Sequence, residues 1–359
     1  MSPPPRLRTA APARRKPARA SRLAPRPAVA TLEMVARAAG VSPSTVSRII
    51  NGTAAVSSER RLAVERAIAR LDFRPNPAAR GLASGRSMTV GVVTQAIDSP
   101  YYGEGLRGIE AHLQANGYAP LFMSGHWSAR DEERALAQFA ARRVDGVIFF
   151  AGRLGDKALA AFARLVPTVV TGRRLAGPGL ASLKADDEEG ARLATRHLAG
   201  LGHRRIAFLA GPGDNLDARE REAGYRRALA EAGIAFDAGL VATGDFHESG
   251  GLQAVNRLLD RGARFTALFC ANDQMAQGAC LALARRGLRV PADVSVVGFD
   301  DLPGSSYTIP PLTTVRQSVF TLGECAARAL LEMIGGRAPR LALPAVELVV
   351  RESTQRLRA

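Results

Sequence analysis

The stretch TLEMVARAAGVSPSTVSRII, residues 31–50, decides the fold of the front of this chain. Its first apolar residues recur at three- and four-residue spacing and the run ends at Gly40, which predicts one helix followed by a tight turn. Ser42 is placed to cap a second helix, and Pro43 suits its first position because a missing N–H costs nothing there. The stretch therefore predicts two short helices joined by a glycine-bearing turn.

The predicted second helix has one apolar and one polar face, with Val46, Ile49 and Ile50 on the first and Ser44, Ser47 and Arg48 on the second. A third helix is predicted from Ser57, with Leu62, Ile68 and Leu71 as its inner stripe. Two short helices braced by a third form a helix-turn-helix unit, whose second helix fits the DNA major groove. A small helical packing domain with a polar surface is the alternative that this pattern leaves open.

The net charge of +16 is concentrated at the front of the 359-residue chain. Residues 1–30 hold eight basic side chains and no acid, and residues 31–86 hold nine basic against four acidic. The remaining residues hold 32 basic against 29 acidic. A basic front on a nearly neutral body indicates a module that binds a polyanion, attached to a region with another task.

Composition and spacing divide the chain into four segments. Pro, Ala and Arg dominate the first segment, which predicts a disordered basic tail; it either attracts phosphate or is a dispensable extension. The third begins in a proline-containing linker. The predicted segments are the tail at 1–28, the helical unit at 29–75, a linker with weak helical propensity at 76–87, and a longer region at 88–359.

From Met88 onwards, short apolar runs alternate with amphipathic segments. The predicted strands are Thr89–Thr94, Ala119–Met123, Gly146–Phe150, Thr168–Thr171, Arg205–Ala210, Ala267–Cys270 and Val294–Phe299. Alternation of strands and helices predicts parallel sheets covered by helices, and the length fits two such sheets.

Several classes of protein are excluded by what the sequence lacks. No run of about 18 apolar residues is present, so no membrane span is expected. The basic N-terminus has no apolar segment of the kind found in secretory signals. Cys270, Cys280 and Cys325 are odd in number and form no C-x-x-C pair, which argues against a disulfide framework or a zinc site and fits a reducing cytoplasm. The histidines show no metal spacing, and no catalytic constellation stands out, so we expect no metal, no cofactor and no enzyme activity.

One motif imitates a dinucleotide site. Residues 103–108 read G-E-G-L-R-G, which matches G-x-G-x-x-G. They follow the predicted strand only after Ile97–Tyr102 and not immediately, and residues 124–126 supply no acid at the end of the next strand. We therefore interpret these glycines as packing positions between a helix and a strand.

Further motifs point to a known family. The stretch at 31–52 continues in matching order through N-P-A-A-R-G-L at 76–82, G-H-R-R-I at 202–206, A-N-D-Q-M-A at 271–276, D-V-S-V-V-G-F-D-D at 293–301 and P-L-T-T-V at 311–315. In these motifs the chain resembles the LacI/GalR family of bacterial transcriptional regulators, in its sugar-responsive, galactose-repressor-like branch. The resemblance implies an all-α helix-turn-helix headpiece at 29–75, a hinge helix and linker at 76–87, and an effector-binding and dimerisation domain at 88–359. That domain is expected to be an α/β body like that of periplasmic binding proteins, with two parallel-sheet subdomains linked by three crossovers.

The resemblance also implies which residues contact DNA. Pro43 and Ser44 match the first two contact positions of the recognition helix and Arg48 matches the third, where its guanidinium suits guanine or phosphate. Leu82 matches a leucine that wedges into the minor groove, although packing against the body is the alternative for this side chain. The implied DNA-binding residues are Pro43, Ser44, Thr45, Ser47, Arg48, Asn51, Asn76, Ala79 and Leu82.

The family's effector positions carry over to Asp98, Tyr101, Tyr102, Asp217, Arg221, Phe246, Asn272 and Asp300. Charged and amide groups around a flat aromatic ring suit a sugar, which has hydroxyls at its edge and C–H groups on its faces. Taken singly, the aromatic residues could instead be core residues and Asp300 a loop cap. Purine-responsive relatives carry a basic and a hydroxyl residue where this chain has Asn215 and Asp217, which favours a sugar.

The expected protein is thus a cytoplasmic transcriptional regulator, expected to act as a repressor, that binds palindromic double-stranded operator DNA as a homodimer. A small molecule, expected to be a sugar, controls its affinity for DNA from the cleft between the subdomains. A dimer is expected and not a tetramer, because no leucine heptads follow the last strand. A regulator that responds to purines or other metabolites, and a sugar-binding protein without a regulatory role, are the alternatives.

Overall fold

The computed structural model of the protein describes residues 30–50, 56–73 and 86–358. The chain divides between Ala79 and Arg80 into two compact units, which we call the headpiece and the body. The predicted tail at 1–28 and most of the predicted hinge and linker lie outside the described residues, as do Asn51, Asn76, Ala79 and Leu82. The four predicted segment boundaries stay predictions.

Three helices form the headpiece: α1 at Leu32–Ala39, α2 at Pro43–Ile50 and α3 at Ser58–Arg70. The Thr31 hydroxyl caps α1 by accepting the N–H of Met34 at 3.4 Å. Gly40 ends α1 with φ 66°, a left-handed conformation that glycine adopts without a steric cost. The Ser42 hydroxyl accepts the N–H of Thr45 at 3.2 Å at the start of α2. Thr31, Gly40 and Ser42 thus begin and end the helices as predicted.

The inner face of α3 differs from the prediction. Leu62 is 49% exposed, and the buried residues of this helix are Val64 and Ala67. Two positions along a helix correspond to about 200° of rotation, so Leu62 and Val64 lie on opposite faces. Ile68 and Leu71 do pack against the headpiece core. The prediction of Leu62 as a core residue was therefore wrong.

The first sheet of the body has five parallel strands in the order β2-β1-β3-β4-β5. Its strands are β1 Thr89–Thr94, β2 Ala119–Ser124, β3 Gly146–Phe150, β4 Thr168–Thr171 and β5 Leu180–Leu183. The helices between them are α4 Pro100–Ala115, α5 Ala129–Ala141 and α6 Asp156–Ala163. β1, β3 and β4 are almost wholly buried, as expected for a parallel sheet with helices on its faces, whereas the edge strand β2 is half-buried or exposed along its length.

The second sheet has six strands in the order β11-β10-β9-β8-β6-β7, all parallel to their neighbours except β11. Its strands are β6 Ile206–Ala210, β7 Val241–Thr243, β8 Ala267–Cys270, β9 Ser295–Asp300, β10 Thr313–Arg316 and β11 Glu347–Val349. The remaining helices are α7 Asp187–Gly200, α8 Leu216–Glu231, α9 Glu248–Asp260, α10 Asp273–Arg285 and α11 Val319–Ile334. Short 3-10 helices occupy Ala238–Leu240 and Pro303–Tyr307.

The chain crosses between the two sheets three times. It leaves the first sheet after β5, returns after β10 so that α11 joins the core of the first sheet, and crosses back to add β11 to the second. The fold class is therefore confirmed: an all-α headpiece and an α/β body of two sheet subdomains with three crossovers. All seven predicted strands are present. The sequence did not reveal β5, β7, β10 and β11, which are only three or four residues long.

The glycines of the G-x-G-x-x-G motif lie inside α4 and not in a loop before it. A Cβ at Gly105 would meet the ring of Phe150 at 2.4 Å, and one at Gly108 would meet the carbonyl oxygen of Phe320 in α11. Gly105 and Gly108 thus permit close approach to a strand and a second helix, whereas a Cβ at Gly103 would meet no atom within 4 Å. This arrangement supports the packing interpretation and provides no phosphate-binding turn.

Candidate effector cavity and DNA-reading helix

The outer face of α2 presents the predicted DNA contacts. Pro43, Ser44 and Arg48 are exposed, and Thr45 and Ser47 are half-buried. The opposite face of α2 is held in the headpiece core by Val46 and Ile49, so the outer face is fixed in orientation. Hydroxyls gather at the start of the helix, where the Ser42 Oγ lies 2.9 Å from the Ser44 Oγ. This face offers hydroxyl groups and one guanidinium to a ligand surface.

A cavity of about 670 Å³ lies between the two sheets of the body. It contains seven of the eight predicted effector residues, namely Tyr101, Tyr102, Asp217, Arg221, Phe246, Asn272 and Asp300. These residues follow the carboxyl ends of β1, β6, β7 and β8 or end β9. Ligands of open parallel sheets bind at this edge.

Asp98 is the predicted effector residue that the structure does not bring to the cavity. It is exposed, in the turn between β1 and α4, and its neighbour Ser99 lines the cavity instead. The Ser99 hydroxyl donates across the cleft to the Gln274 Oε1 at 3.4 Å. The family resemblance led to the correct turn but did not give the direction of each side chain.

Arg221 is the centre of the polar wall. Its side chain is buried, and its Nε donates to the Asp187 Oδ1 at 2.8 Å. Its Nη1 lies 3.7 Å from the Asp300 Oδ1, and its guanidinium carbon lies 3.9 Å from the centre of the Phe299 ring. Two carboxylates and an aromatic face therefore fix the guanidinium at the cavity wall.

Asn272 and Phe246 are fixed by each other. The Asn272 side chain caps α10 by accepting the N–H of Met275 at 3.0 Å, and its amide donates to the Phe246 carbonyl at 2.8 Å. Phe246 has a φ of 69°, a conformation that is uncommon for a residue with a side chain. The amide thus holds an unusual backbone turn that places the Phe246 ring at the cavity.

Asp300 is buried at the end of β9, where it accepts a hydrogen bond from the Gln317 side chain. Burial raises the pKa of Asp300 well above its ordinary value, although the charge of Arg221 opposes the change. Burial and the charge of Asp187 likewise raise the pKa of Asp217 to about 6, against the opposing charges of Lys184 and Arg221. The wall thus contains more carboxylates than its cations fully stabilise.

Lys184 is a wall residue that sequence reasoning missed. Its ammonium lies 2.8 Å from the Asp187 Oδ2, 2.8 Å from the Asp217 Oδ1 and 2.9 Å from the Glu220 Oε2. Burial lowers the pKa of Lys184, but the charges of Asp187 and Asp217 more than offset it, so the pKa lies above its ordinary value. Its rarity was an available signal, because the chain has three lysines among 49 basic residues.

Aromatic side chains dominate the opposite wall. The rings of Tyr101 and Tyr102 meet edge to face at 5.2 Å between centroids, and burial raises the pKa of both phenols well above the ordinary value. Trp127, which sequence reasoning also missed, lies 6.5 Å from Tyr102 and lines the cavity. It is the single tryptophan of the chain. A ligand between the walls would have an aromatic surface on one side and hydrogen-bonding groups on the other.

The part of the chain that the structure describes holds neither a candidate metal site nor a helix that could span a membrane. No group of three or more His, Cys, Asp or Glu side chains in them is arranged to hold a metal ion. None of the helices that the structure describes is long and apolar enough to cross a membrane.

Family models match both units of the chain. The model for bacterial regulatory proteins of the lacI family matches residues 31–76, and the model for a periplasmic binding protein-like domain matches residues 195–354. The fold and the matches define a helix-turn-helix transcriptional regulator with a ligand-binding type of body.

Curated relatives match over most of their length. The HTH-type transcriptional regulator GalR of Escherichia coli K12 is 40% identical over 311 residues, which cover 86% of this chain and 90% of the relative. The regulator CelR of Thermobifida fusca is 39% identical over 334 residues, or 90% of this chain and 98% of the relative. The chain therefore belongs to the lacI family of bacterial transcriptional regulators, which bind DNA.

Solved structures of transcriptional regulators have the same fold as this chain. A lac repressor dimer bound to operator and the anti-inducer ONPF superposes with a TM-score of 0.81 at 35% identity, covering 91% of this chain and 99% of that one. A complex of CelR with cellobiose gives a TM-score of 0.67 at 38% identity, covering 90% and 99%. These relatives are transcriptional regulators and not enzymes.

Proposed function

We propose that this protein is a homodimeric repressor that binds a palindromic operator and responds to a small sugar in the cavity of the body. The observation that carries the proposal is the composition of that cavity. Arg221, Asn272 and Asp300 supply hydrogen-bonding groups on one wall, and Tyr101 and Tyr102 supply rings on the other. Sugars need both kinds of surface, because their hydroxyls lie at the ring edge and their C–H groups on its faces.

A purine effector is the second candidate, and the wall around α8 favours the sugar. The Asn215 side chain accepts the N–H of Ala218 at 3.0 Å, so its oxygen is engaged in capping the helix. Asp217 accepts from Lys184 and presents a carboxylate to the cavity. A carboxylate accepts hydrogen bonds from the hydroxyl groups of a sugar and also from the N–H groups at the edge of a purine base, so the sugar is favoured by the larger number of its donors.

The body has apolar surface suited to a second copy of the chain. Leu281 in α10 is 47% exposed, and Tyr307 and Ile309 in the loop after β9 are 86% and 97% exposed. The two places adjoin, since a Cβ on Gly304 would lie 3.6 Å from the Gln277 side chain of α10. A twofold dimer would cover this surface and would pair two headpieces on two half-sites.

Ligand binding would act on DNA affinity through the geometry of the body. A ligand shifts an equilibrium only when it binds one arrangement better than another. The cavity has walls from both sheets, so a bound sugar would favour the arrangement in which both walls contact it. The three crossovers transmit a change in the angle between the sheets to the whole body.

The experiment that tests the proposal combines two ligand searches on the intact protein. Thermal shift against a panel of sugars and nucleobases identifies the effector, and selection from random DNA identifies the operator. Operator binding is then measured with and without the effector. We expect a sugar to raise the melting temperature and to weaken operator binding.

Other results would support the alternatives. Stabilisation by a nucleobase alone would establish the purine-responsive reading. Sugar binding by a protein that selects no DNA sequence would indicate a sugar-binding protein without a regulatory role. A change in protein fluorescence on addition of NAD would revive an enzymatic function, which the position of the glycines inside α4 opposes.

A further inference from the structure

The ammonium group of Lys184 is enclosed by carboxylates from two helices. Its side chain is 2% exposed and makes three ion pairs of 2.8–2.9 Å, with Asp187 of α7 and with Asp217 and Glu220 of α8. Removing an ammonium from water is costly unless it is paired and hydrogen-bonded. A fully enclosed lysine therefore indicates a position where its three donors are all in use.

The choice of lysine is informative in this chain. Arginine supplies 46 of its 49 basic residues, and Lys16 and Lys157 are the other two lysines. The donors of a guanidinium lie in one plane, whereas an ammonium is a compact point charge that donates to three oxygens in different directions. Three carboxylates around one point therefore favour lysine over the basic residue that the chain otherwise uses.

Lys184 also lies at the first crossover. It directly follows β5 of the first sheet, and Asp217 and Glu220 lie on a helix of the second sheet. The ion pairs therefore join the segment that leaves the first sheet to the wall of the cavity. A change in the angle between the sheets would therefore move the end of β5, next to Lys184, relative to α8.

The ion pair leaves half of the Asp217 carboxylate available. The Oδ1 accepts from Lys184, while the Oδ2 accepts no hydrogen bond from the residues that the structure describes. Asp217 lines the cavity and its side chain is 24% exposed. One oxygen is thus fixed by the protein, and the other is free to accept a ligand hydroxyl.

We propose that Lys184 is a positioning residue of the effector site, which holds the Asp217 carboxylate ionised and oriented so that its free oxygen accepts a hydroxyl of the bound sugar. This inference rests on the proposed function. It assigns to Lys184 a role in affinity through Asp217 and not a contact with the ligand.

The charge on Asp217 depends on several neighbours. Groups that face or influence it are Lys184 on the crossover, Asp187 on α7, Glu220 and Arg221 on α8, and Tyr101 and Tyr102 on α4. Burial and Asp187 raise the pKa of Asp217 to about 6, and Lys184 and Arg221 oppose this. Without the charge of Lys184, the pKa of Asp217 would rise further and the carboxylate would be protonated nearer to neutral pH.

The test compares Lys184→Met, Lys184→Arg and the control Lys157→Met, which alters an exposed lysine of α6. Affinities of the intact proteins for D-galactose, D-glucose and cellobiose are measured by calorimetry between about pH 5 and pH 9, with thermal melts as a check of folding. Wild type is expected to lose affinity as the pH falls through about 6. Lys184→Met should weaken binding about tenfold or more at neutral pH and move this loss to higher pH.

The arginine variant separates charge from geometry. Lys184→Arg keeps a positive charge, so its loss of affinity should leave the acid limb of the pH profile near that of wild type. A fall in affinity without any shift of the acid limb in Lys184→Met would show a merely structural role and overturn the inference. Binding by both variants equal to that of wild type and Lys157→Met would also overturn it, with the proposed function intact. Failure of wild type to bind any of the sugars would overturn the inference together with the proposed sugar specificity.

Discussion

The headpiece and the body place their recognition side chains in opposite environments. In the headpiece, Ser44 and Arg48 are exposed on the outer face of α2. In the body, Arg221 and Asn272 are each 4% exposed and Asp300 is 3% exposed. DNA is a large ligand that approaches a convex helix, whereas a small effector must be enclosed to be recognised.

This difference has an energetic consequence. An exposed side chain contributes little to folding, so it is free to vary with the DNA sequence that is read. A buried charged side chain needs partners before any ligand arrives, and here Asp187 and Asp300 serve Arg221 in that way. Substitutions should therefore separate binding from stability in the headpiece and couple the two in the body.

The largest effect is expected from Arg221→Ala. Removing one partner of a buried ion pair costs about 3–5 kcal/mol, because uncompensated carboxylates remain. We expect a drop of that size in the free energy of unfolding, loss of the sugar response and retention of operator binding. Urea unfolding and calorimetry measure the first two, and Arg286→Ala, which breaks an exposed pair with Asp260, is the control.

A stable Arg221→Ala protein with a normal response to its effector would contradict the assignment of the cavity. If Arg221→Ala does not fold, Arg221→Lys keeps the charge and removes the guanidinium geometry. It should then fold and still bind sugar weakly.

Arg48→Ala should weaken operator binding and leave stability almost unchanged, which is the opposite of what we expect for Arg221→Ala. Loss of a side chain that reads a base costs about 1–3 kcal/mol of discrimination, so specific operator binding should fall by roughly tenfold to a hundredfold. Arg48 is exposed, and the free energy of unfolding should stay within about 0.5 kcal/mol of wild type. Fluorescence anisotropy with the selected operator measures the affinity. An equal loss in Arg66→Ala, an exposed arginine of α3, would show that charge alone matters at Arg48.

Asp217→Asn tests whether the buried charge of Asp217 lowers the stability of the body. The folded-state pKa of Asp217 is raised from 3.8 to about 6, so its stabilising contribution is full below pH 3.8 and is lost as the pH rises through 6. Asparagine does not ionise, so the substitution removes the cost of keeping this carboxylate charged. We expect the free energy of unfolding to increase by roughly 1–3 kcal/mol at pH 7.5. The gain should be about half as large at pH 5, because the folded carboxyl is largely protonated there and the unfolded one is not, and sugar affinity should fall at neutral pH.

Urea unfolding of Asp217→Asn and wild type at the two pH values makes this comparison. Equal gains at both pH values would show that ionisation of Asp217 is not their source. Asp245→Asn is the matched control, because it also changes a carboxylate that lines the cavity.

The smallest effect is expected at Arg153 and Asp214, which lie in the body but resemble headpiece residues in exposure. Their 2.6 Å ion pair joins the segment after β3 to the segment after β6, and the side chains are 51% and 56% exposed. Exposed pairs contribute about 0–1 kcal/mol. Either alanine substitution should therefore shift the cleft slightly towards opening, with recovery in the charge-swapped double variant.

Acrylamide quenching of Trp127 reports this shift, because Trp127 lines the cavity and is the single tryptophan. High salt should produce the same change in wild type by screening the pair. Arg134→Ala, which breaks an exposed pair with Asp131 on α5, is the control and should have no effect. A stability loss of several kcal/mol in Arg153→Ala would mean that the exposure of an ion pair does not determine how much stability is lost when the pair is broken.

Local sequence signals predicted the headpiece well. Thr31, Gly40 and Ser42 act at the places where their chemistry predicts caps and a turn. The long apolar strands were also predicted, because each carries its own pattern. The prediction that Leu62 is buried was wrong because it considered hydrophobicity alone. The rotation of α3 about its axis turns Val64 to the core and Leu62 to solvent.

The cavity was only partly predictable. Seven of eight residues carried over from the family resemblance line it, but Asp98 points into solvent from the same turn that brings Ser99 to the cleft. Trp127 and Lys184 escaped notice because neither lies in a motif. Their roles depend on residues far away in the sequence, such as Tyr102 and Asp217.

The sequence by itself determined the helix-turn-helix headpiece, the two parallel sheets and the turns at their carboxyl ends, since caps, glycines and apolar runs act over a few residues. Only the tertiary structure decided which side chains share the cavity and how their charges are balanced. Lys184 follows β5 and meets Asp217 on α8 across 33 positions. Such contacts depend on the angle between two sheets, and no local pattern encodes that angle.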